Sequence, residues 1–212
     1  MSKPIRHLIA ILAATAAAVS VGTLPADAAA RTAPSVSFFQ GGEGKAHWSH
    51  DESTSDDRFS MKLEVPFFNL ATDPVNYAGI DLHHVEGQPA PEEAPSFDFY
   101  STASGPSLGS PRLHINFSDG GSADLRPLAW VQDIWTTVDG DGTNWDNNGG
   151  PCGFQFGTTY AAVVACHPGT TVTSAYVVSD SGYGYPEGYV HYIDNLQYDG
   201  VTISQPSDNR RG

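Results

Sequence analysis

Four sets of residues have types and spacing suited to chemistry. The first lies in EGYVHYIDNLQYDGVTIS, residues 187–204, where alternate positions from Val190 give Val190, Tyr192, Asp194, Leu196 and Tyr198. In that register a carboxylate sits in the middle of a strand's buried face. A buried carboxylate without a partner is costly, so Asp194 is expected to ligate a metal, to accept backbone N–H bonds, or to be turned outward by a β-bulge. The second set is VDGDGTNWDNNGG (138–150), with Asp139, Asp141 and Thr143 at alternate positions in the manner of a calcium loop. Counted from Asp139, the sixth and twelfth positions hold Asn144 and Gly150 instead of the Gly and Glu of an EF-hand. Asp-Gly repeats are also ordinary turn chemistry.

The third set is aromatic. Sugar rings stack their C–H faces on Trp and Tyr, and aromatic side chains in Gly-rich loops are costly to leave wet unless they pack or bind. The candidates for such a site are Trp145 with Asn144 and Asn147 beside it, Tyr183 and Tyr185 in DSGYGYPEG, and Trp48 after a Gly-rich opening. Packing within the sheets is the competing reading for Trp48 and Trp135. The fourth set is nucleophilic or acid–base. GPSLG (105–109) has the G-x-S-x-G form of a nucleophile elbow, but it lacks the preceding strand and following helix, so Ser107 reads as a linker residue. His83 and His84 fall on opposite faces of a strand, which does not chelate one metal, and His47, His50 and His114 read as surface or hydrogen-bonded histidines. An Asp/Glu pair suited to glycosidase chemistry is open to so acidic a chain, with no string of residues to mark it.

The elements that must position these groups begin after residue 30. Lys3 and Arg6 precede the apolar run LIAILAATAAAVSV (8–21), and ADAAA supplies small residues for cleavage after Ala28 or Ala30. This is the form of a secretion signal peptide, and the run is too short to span a bilayer. The chain is therefore expected to be secreted and extracellular, without membrane insertion. The leader holds two of the 10 basic and one of the 24 acidic residues, so the remaining 182 residues carry 8 basic against 23 acidic, a net charge of −15. Such a charge disfavours nucleic acid, anionic lipid and polyanionic glycans and leaves neutral ligands and cations. Cys152 and Cys166, the two cysteines, form one disulfide in an exported chain, which closes a loop whose constraint contributes roughly 3 kcal/mol.

Gly (22) and Pro (15) punctuate short apolar stretches throughout, the pattern of many short strands. FSMKLEV (59–65) alternates, and PRLHINFSDGGSADLRPLAW (111–130) is a hairpin with Leu113, Ile115 and Phe117 on one face. Further strands are expected at 36–39, 79–85, 97–100, 131–138, 172–179, 189–198 and 201–204. TTYAAVVACHPGTT carries helix start and stop signals, which predicts a short helix over 158–166. The acidic PAPEEAP stretch (89–95), residues 31–34 and the tail from Pro206 are expected to be disordered. The reading is a single β-sandwich domain over 31–205, with a flexible tail at 206–212.

Two ends of the chain carry a resemblance. VSFFQGGEGKAHWSHDESTSDDRFSMKLEV near the start and YVHYIDNLQYDG near the end resemble the opening and closing strands of jelly-roll carbohydrate-binding modules. The resemblance implies an all-β jelly-roll sandwich with neighbouring terminal strands and a closing Asp that binds a structural calcium. On that analogy Asp194 is a calcium ligand, joined by Gln40, which stands where the family has Glu, and by Glu43 as a substitute. The function it implies is a secreted, non-catalytic binding module for a neutral polysaccharide or similar ligand. The alternatives are a small secreted glycan hydrolase or lyase with an Asp/Glu pair, and a cell-envelope interaction protein with no small ligand.

Overall fold

A computed structural model describes residues 33–54, 59–66, 75–103, 111–180 and 188–203. The expected leader, the GPSLG stretch, Tyr183, Tyr185 and the expected tail lie outside them. Among the described residues there are thirteen strands and one α-helix: β1 (Ser35–Gly41), β2 (Lys45–Ser49), β3 (Ser60–Val65), β4 (Tyr77–His83), β5 (Ser96–Ser101), β6 (Arg112–Phe117), β7 (Ser122–Leu125), β8 (Thr136–Val138), β9 (Trp145–Asn148), β10 (Gln155–Thr158), α1 (Tyr160–Cys166), β11 (Val172–Asp180), β12 (Tyr189–Tyr198) and β13 (Val201–Thr202).

The strands form two antiparallel sheets of a jelly-roll sandwich. One is seven-stranded in the order β1-β4-β11-β6-β7-β9-β10; the other is six-stranded in the order β2-β3-β12-β5-β8, with β13 paired to β12. Alternation fixes which side chains meet between them. Met61, Leu63 and Val65 of β3 and Phe97 and Phe99 of β5 point inward from one sheet. Ile80, Leu82, Leu113, Ile115 and Val177 point inward from the other, and all belong to one buried cluster. Phe38 and Trp48 meet edge to face at 5.8 Å, so Trp48 packs against the core as a partly buried residue.

The disulfide Cys152–Cys166 is formed. It ties a 3₁₀ turn (Gly150–Cys152) to the last turn of α1, whose N-cap Thr159 accepts a hydrogen bond from the Ala162 N–H. The expected helix is thus present. Three strands were not legible in the sequence, namely β2, β9 and β10. The expected strand over 131–138 is confined to its last three residues. The 89–95 stretch is held in place, contrary to expectation. Pro91 and Pro95 are buried, the Tyr160 hydroxyl donates to the Pro91 carbonyl, and Asp199 accepts from the Glu92 N–H.

Candidate functional site

The parity of β12 decides where Asp194 points. Tyr189, His191 and Ile193 face the core, so Val190, Tyr192 and Asp194 face outward. Asn195 then adopts φ +47°, and the register with β5 shifts between Asp194 and Gln197. This bulge returns Leu196 and Tyr198 to the core face. Asp194 therefore points away from the core on the outer side of the six-stranded sheet, where it is buried beneath residues 53–54, and the expectation of a carboxylate on the core face is corrected. Its oxygens are occupied: Oδ2 accepts from Ser53 Oγ (3.2 Å), the Thr54 N–H (2.7 Å) and Thr54 Oγ1 (2.8 Å), and Oδ1 accepts from the Asn195 N–H (2.8 Å).

The residues that the resemblance joined to Asp194 stand elsewhere. Gln40 lies on β1 in the other sheet, where its Oε1 accepts from the Ala46 N–H, and Glu43 is exposed in the β1–β2 turn, its backbone N–H bonded to Asn76. Among the described residues no three His, Cys, Asp or Glu side chains are grouped to hold an ion. Asp194 acts as a clasp between the 50s loop and the bulge, so Asp194→Ala should cost about 2 kcal/mol from charge-assisted bonds and lower the melting temperature by roughly 4–8 °C. The same melt in EDTA and in calcium checks the ion. Coincident curves are expected if the hydrogen bonds alone satisfy Asp194, and a calcium-dependent rise abolished by Asp194→Ala would establish the metal reading.

Trp145 and Asn147, two expected ligand contacts, are interior. Trp145 is 0% exposed, donates through Nε1 to the Gly140 carbonyl and packs on Tyr160 at 5.0 Å. Asn147 is also 0% exposed; its Nδ2 donates to the Gly149 and Gly153 carbonyls and its Oδ1 is bonded to His167 Nε2. Both are corrected to structural residues, because β9 points them inward. Asn144 is half-buried in the preceding turn, where its Nδ2 donates to the Asp139 carbonyl. Asp139 itself accepts from the Asp141 N–H, an Asx turn.

The outer face of the six-stranded sheet carries a row that sequence reasoning missed. Register aligns His47, Lys62, Tyr192 and Tyr100 across β2, β3, β12 and β5. Tyr100 packs at 5.8 Å from Tyr192 and at 5.7 Å from Trp135, and Lys62 Nζ stands 5.5 Å over the Tyr192 ring. Trp135 comes from the 127–135 loop, which is anchored by Trp130 Nε1 on the Ala103 carbonyl and by the Asp133 N–H on the Ser101 carbonyl. The Tyr100 hydroxyl donates to Asp133. Burial, followed by Asp133, raises the pKa of Tyr100, and burial raises that of Tyr192. Both phenols therefore stay protonated as donors. Lys62 is held charged by its bond to Asp51.

Polar rows flank this aromatic row. On one side Asp194, Asp98 and Thr137 align, with Thr137 Oγ1 donating to Asp98 at 2.6 Å. On the other side Lys45, Glu64 and Val190 align and border a groove of about 310 Å³ that also reaches Thr102. The signal was available in the sequence: Tyr100 and Tyr192 occupy positions of opposite parity to Phe99 and Ile193, but alternation counted from Val190 put Tyr192 on the buried face.

Elsewhere a wider groove of about 1050 Å³ is rimmed by Glu92, Glu93, Asp139 and Asp141. Phe154 and Phe156 are 75% and 74% exposed on the edge strand β10 and the residue before it. His167 is bonded to Asp119 at 2.7 Å and stacks on Phe117 at 4.1 Å. Burial works to raise the Asp119 pKa, but His167 and the Gly121 N–H outweigh it and hold the carboxyl below its ordinary value. Asp51 is likewise lowered, chiefly by its bond to Lys62. A glycosidase acid requires a shift in the opposite direction.

Two solved structures are similar in fold to this chain. One is the family 11 carbohydrate-binding module of the cellulosomal cellulase Lic26A-Cel5E of Clostridium thermocellum, at 12% identity, covering 81% of this chain and 90% of that one with a TM-score of 0.44. The other is the family 11 module from the same organism in complex with a β-1,3-1,4-mixed-linked tetrasaccharide, at 12% identity, covering 80% and 91% with a TM-score of 0.43. The sequence matches no protein-family model and no curated protein.

Proposed function

We propose that this is a secreted, non-catalytic module that binds a neutral polysaccharide across the outer face of its six-stranded sheet. The observation that carries the reading is the half-buried ring pair Trp135–Tyr100, seated by edge and tilted contacts on the buried Tyr192 ring and bordered on both sides by polar side chains. Rings of this kind meet the C–H faces of pyranose units, while Asp98, Thr137, Lys62 and the Tyr hydroxyls meet their hydroxyl groups. The acidic net charge favours a neutral chain over a polyanionic one.

Cellohexaose, laminarihexaose, xylohexaose and mannohexaose, titrated by NMR, test the reading. Tyr100→Ala and Trp135→Ala should each weaken binding of the preferred hexasaccharide by about tenfold or more, since each removes one stacking contact and its hydroxyl or indole partner. Unchanged affinity in both variants would overturn the assignment of this face. Release of reducing ends from any of the four would favour the hydrolase instead and direct attention to the Glu92/Asp139 groove.

A further inference from the structure

The outer face of the seven-stranded sheet carries a second aromatic line, built from different residues and for reasons the sandwich itself does not supply. Val36 and Phe38 of β1 and Ala78, Ile80 and Leu82 of β4 fill the core side, so Phe39 and Tyr77 point outward. Each of these rings lies over a glycine on the neighbouring strand. Phe39 pairs with Gly79 and Tyr77 with Gly41. A Cβ on Gly79 would stand 2.2 Å from Phe39 Cζ, and a Cβ on Gly41 would stand 2.2 Å from Tyr77 Cε1 and Cζ. Glycine inside a strand weakens it through entropy and lost packing. Here two such positions, in reciprocal cross-strand pairs, let two large rings lie down on the sheet.

The line continues across the sheet. Phe39 meets Tyr77 at 6.1 Å and Tyr176 at 5.8 Å, and Tyr176 meets the His114 ring at 4.9 Å. Four rings thus cross β1, β4, β11 and β6 at intervals comparable with one pyranose unit. Tyr77, at 37% exposure, is one of the exposed large apolar side chains. The polar groups alongside are held in place. His114 Nδ1 is bonded to Asp124 at 2.7 Å and its Nε2 to Asn116 at 3.0 Å, Asn116 Nδ2 donates to Ser174, and Arg112 bridges Asp180 and Asp124. Asp81 stands between Ser37 and Tyr176 in the same row. The two arginines of this face, Arg112 and Arg126, are paired with Asp180, Asp124 and Asp146, so its charge repels a polyanion.

The geometry points to a second binding surface for a neutral glycan chain, on the face opposite the Trp135–Tyr100–Tyr192 row, which makes the module bivalent. It stands on residues separate from those of the first face, so the two assignments fail separately. Two binding surfaces on opposite sides of one sandwich join two polysaccharide chains without any new contact between proteins, and they raise avidity on a dense matrix.

The experiment is an aromatic ¹H–¹³C NMR titration of the intact protein with the same four hexasaccharides, with Tyr77 and Tyr176 reporting one face and Tyr100 and Trp135 the other. The expected result is two saturation curves. Tyr77→Ala should weaken the second-face curve about tenfold and leave the first within about twofold, and Trp135→Ala should do the reverse. Gly79→Ala, which keeps every ring but lifts Phe39, should weaken the second face alone. Thermal melts of each variant separate loss of binding from loss of fold. Saturable shifts confined to Tyr100 and Trp135 would overturn the second surface and leave the first standing. Shifts confined to Tyr77 and Tyr176 would do the opposite. No shift with any of the four sugars would remove both.

Discussion

Trp145→Ala is expected to lower the melting temperature by on the order of 10 °C or more, with glycan affinity unchanged in the protein that remains folded. The indole is fully enclosed between the sheets and α1, its N–H satisfied by the Gly140 carbonyl and its ring against Tyr160. Truncating a buried Trp costs about 3–5 kcal/mol, from lost transfer energy and the cavity left behind. In a domain of this size each kcal/mol moves the midpoint by roughly 2–4 °C. Trp145→Phe should fall between the two, since it refills part of the volume and leaves the Gly140 carbonyl without its donor. Near-UV circular dichroism during a thermal ramp checks this. A variant that melts like the wild type but no longer binds hexasaccharide would return Trp145 to the ligand site.

The second large effect is acid instability centred on His191. This side chain is fully buried among Phe99, Trp130 and Tyr189; its Nδ1 is hydrogen-bonded to Ser179 Oγ from the opposite sheet, and its Nε2 meets no partner among the described residues. Burial disfavours the imidazolium and pushes its pKa down to about 3 from an unfolded value of 6.5. Above pH 6.5 both states are neutral and the group adds no pH dependence. As the pH falls below 6.5 the unfolded chain takes up a proton that the folded one does not, so stability declines until about pH 3. Across that window the loss is several kcal/mol, comparable with the total stability of a small domain. Asp119, held below its ordinary value, loses its contribution in acid as well. Comparison with the double variant Ser179→Ala, His191→Leu isolates the histidine, because it removes the titrating group together with the hydroxyl that it would strand. Urea midpoints between pH 7.5 and 4 should fall steeply for the wild type and much less for the double variant. Equal slopes would show that His191 is protonated in the folded protein.

The architecture was legible wherever side chains alternated cleanly. Met61, Leu63 and Val65 opposite Lys62 and Glu64, and Leu113, Ile115 and Phe117 before a Gly-rich turn, could be read as strands with a known inner face. The helix and disulfide followed from Thr159, the Ala-rich body and the two cysteines. The site was far less legible, for three local reasons. A single left-handed residue, Asn195, reverses the parity of β12, so a single alternation carried from Val190 through Tyr198 placed Asp194 on the core face when it points away from it. β9 hides Trp145 and Asn147 in a string of polar letters, because Asn147 is buried through bonds to backbone carbonyls and His167, which no periodicity reveals. The aromatic rows join residues from distant parts of the chain, such as Tyr100 and Tyr192, whose adjacency is a matter of strand order.

That strand order also sets a timetable. β12 is the central strand of the six-stranded sheet, lying between β3 and β5, yet among the described strands of the sandwich only the two-residue β13 follows it in the chain. Until residues 189–198 are available, β2–β3 and β5–β8 are two separate ribbons with bare edges, and neither can close over the hydrophobic layer. Pairing across so many intervening residues is slow, because the loop-closure entropy must be overcome before any contact rewards it. A ribosome-bound or truncated chain that stops before Tyr189 should therefore remain protease-sensitive and available to chaperones. The sandwich becomes a folded object only once nearly all of it exists, which keeps a nascent chain threadable up to that moment.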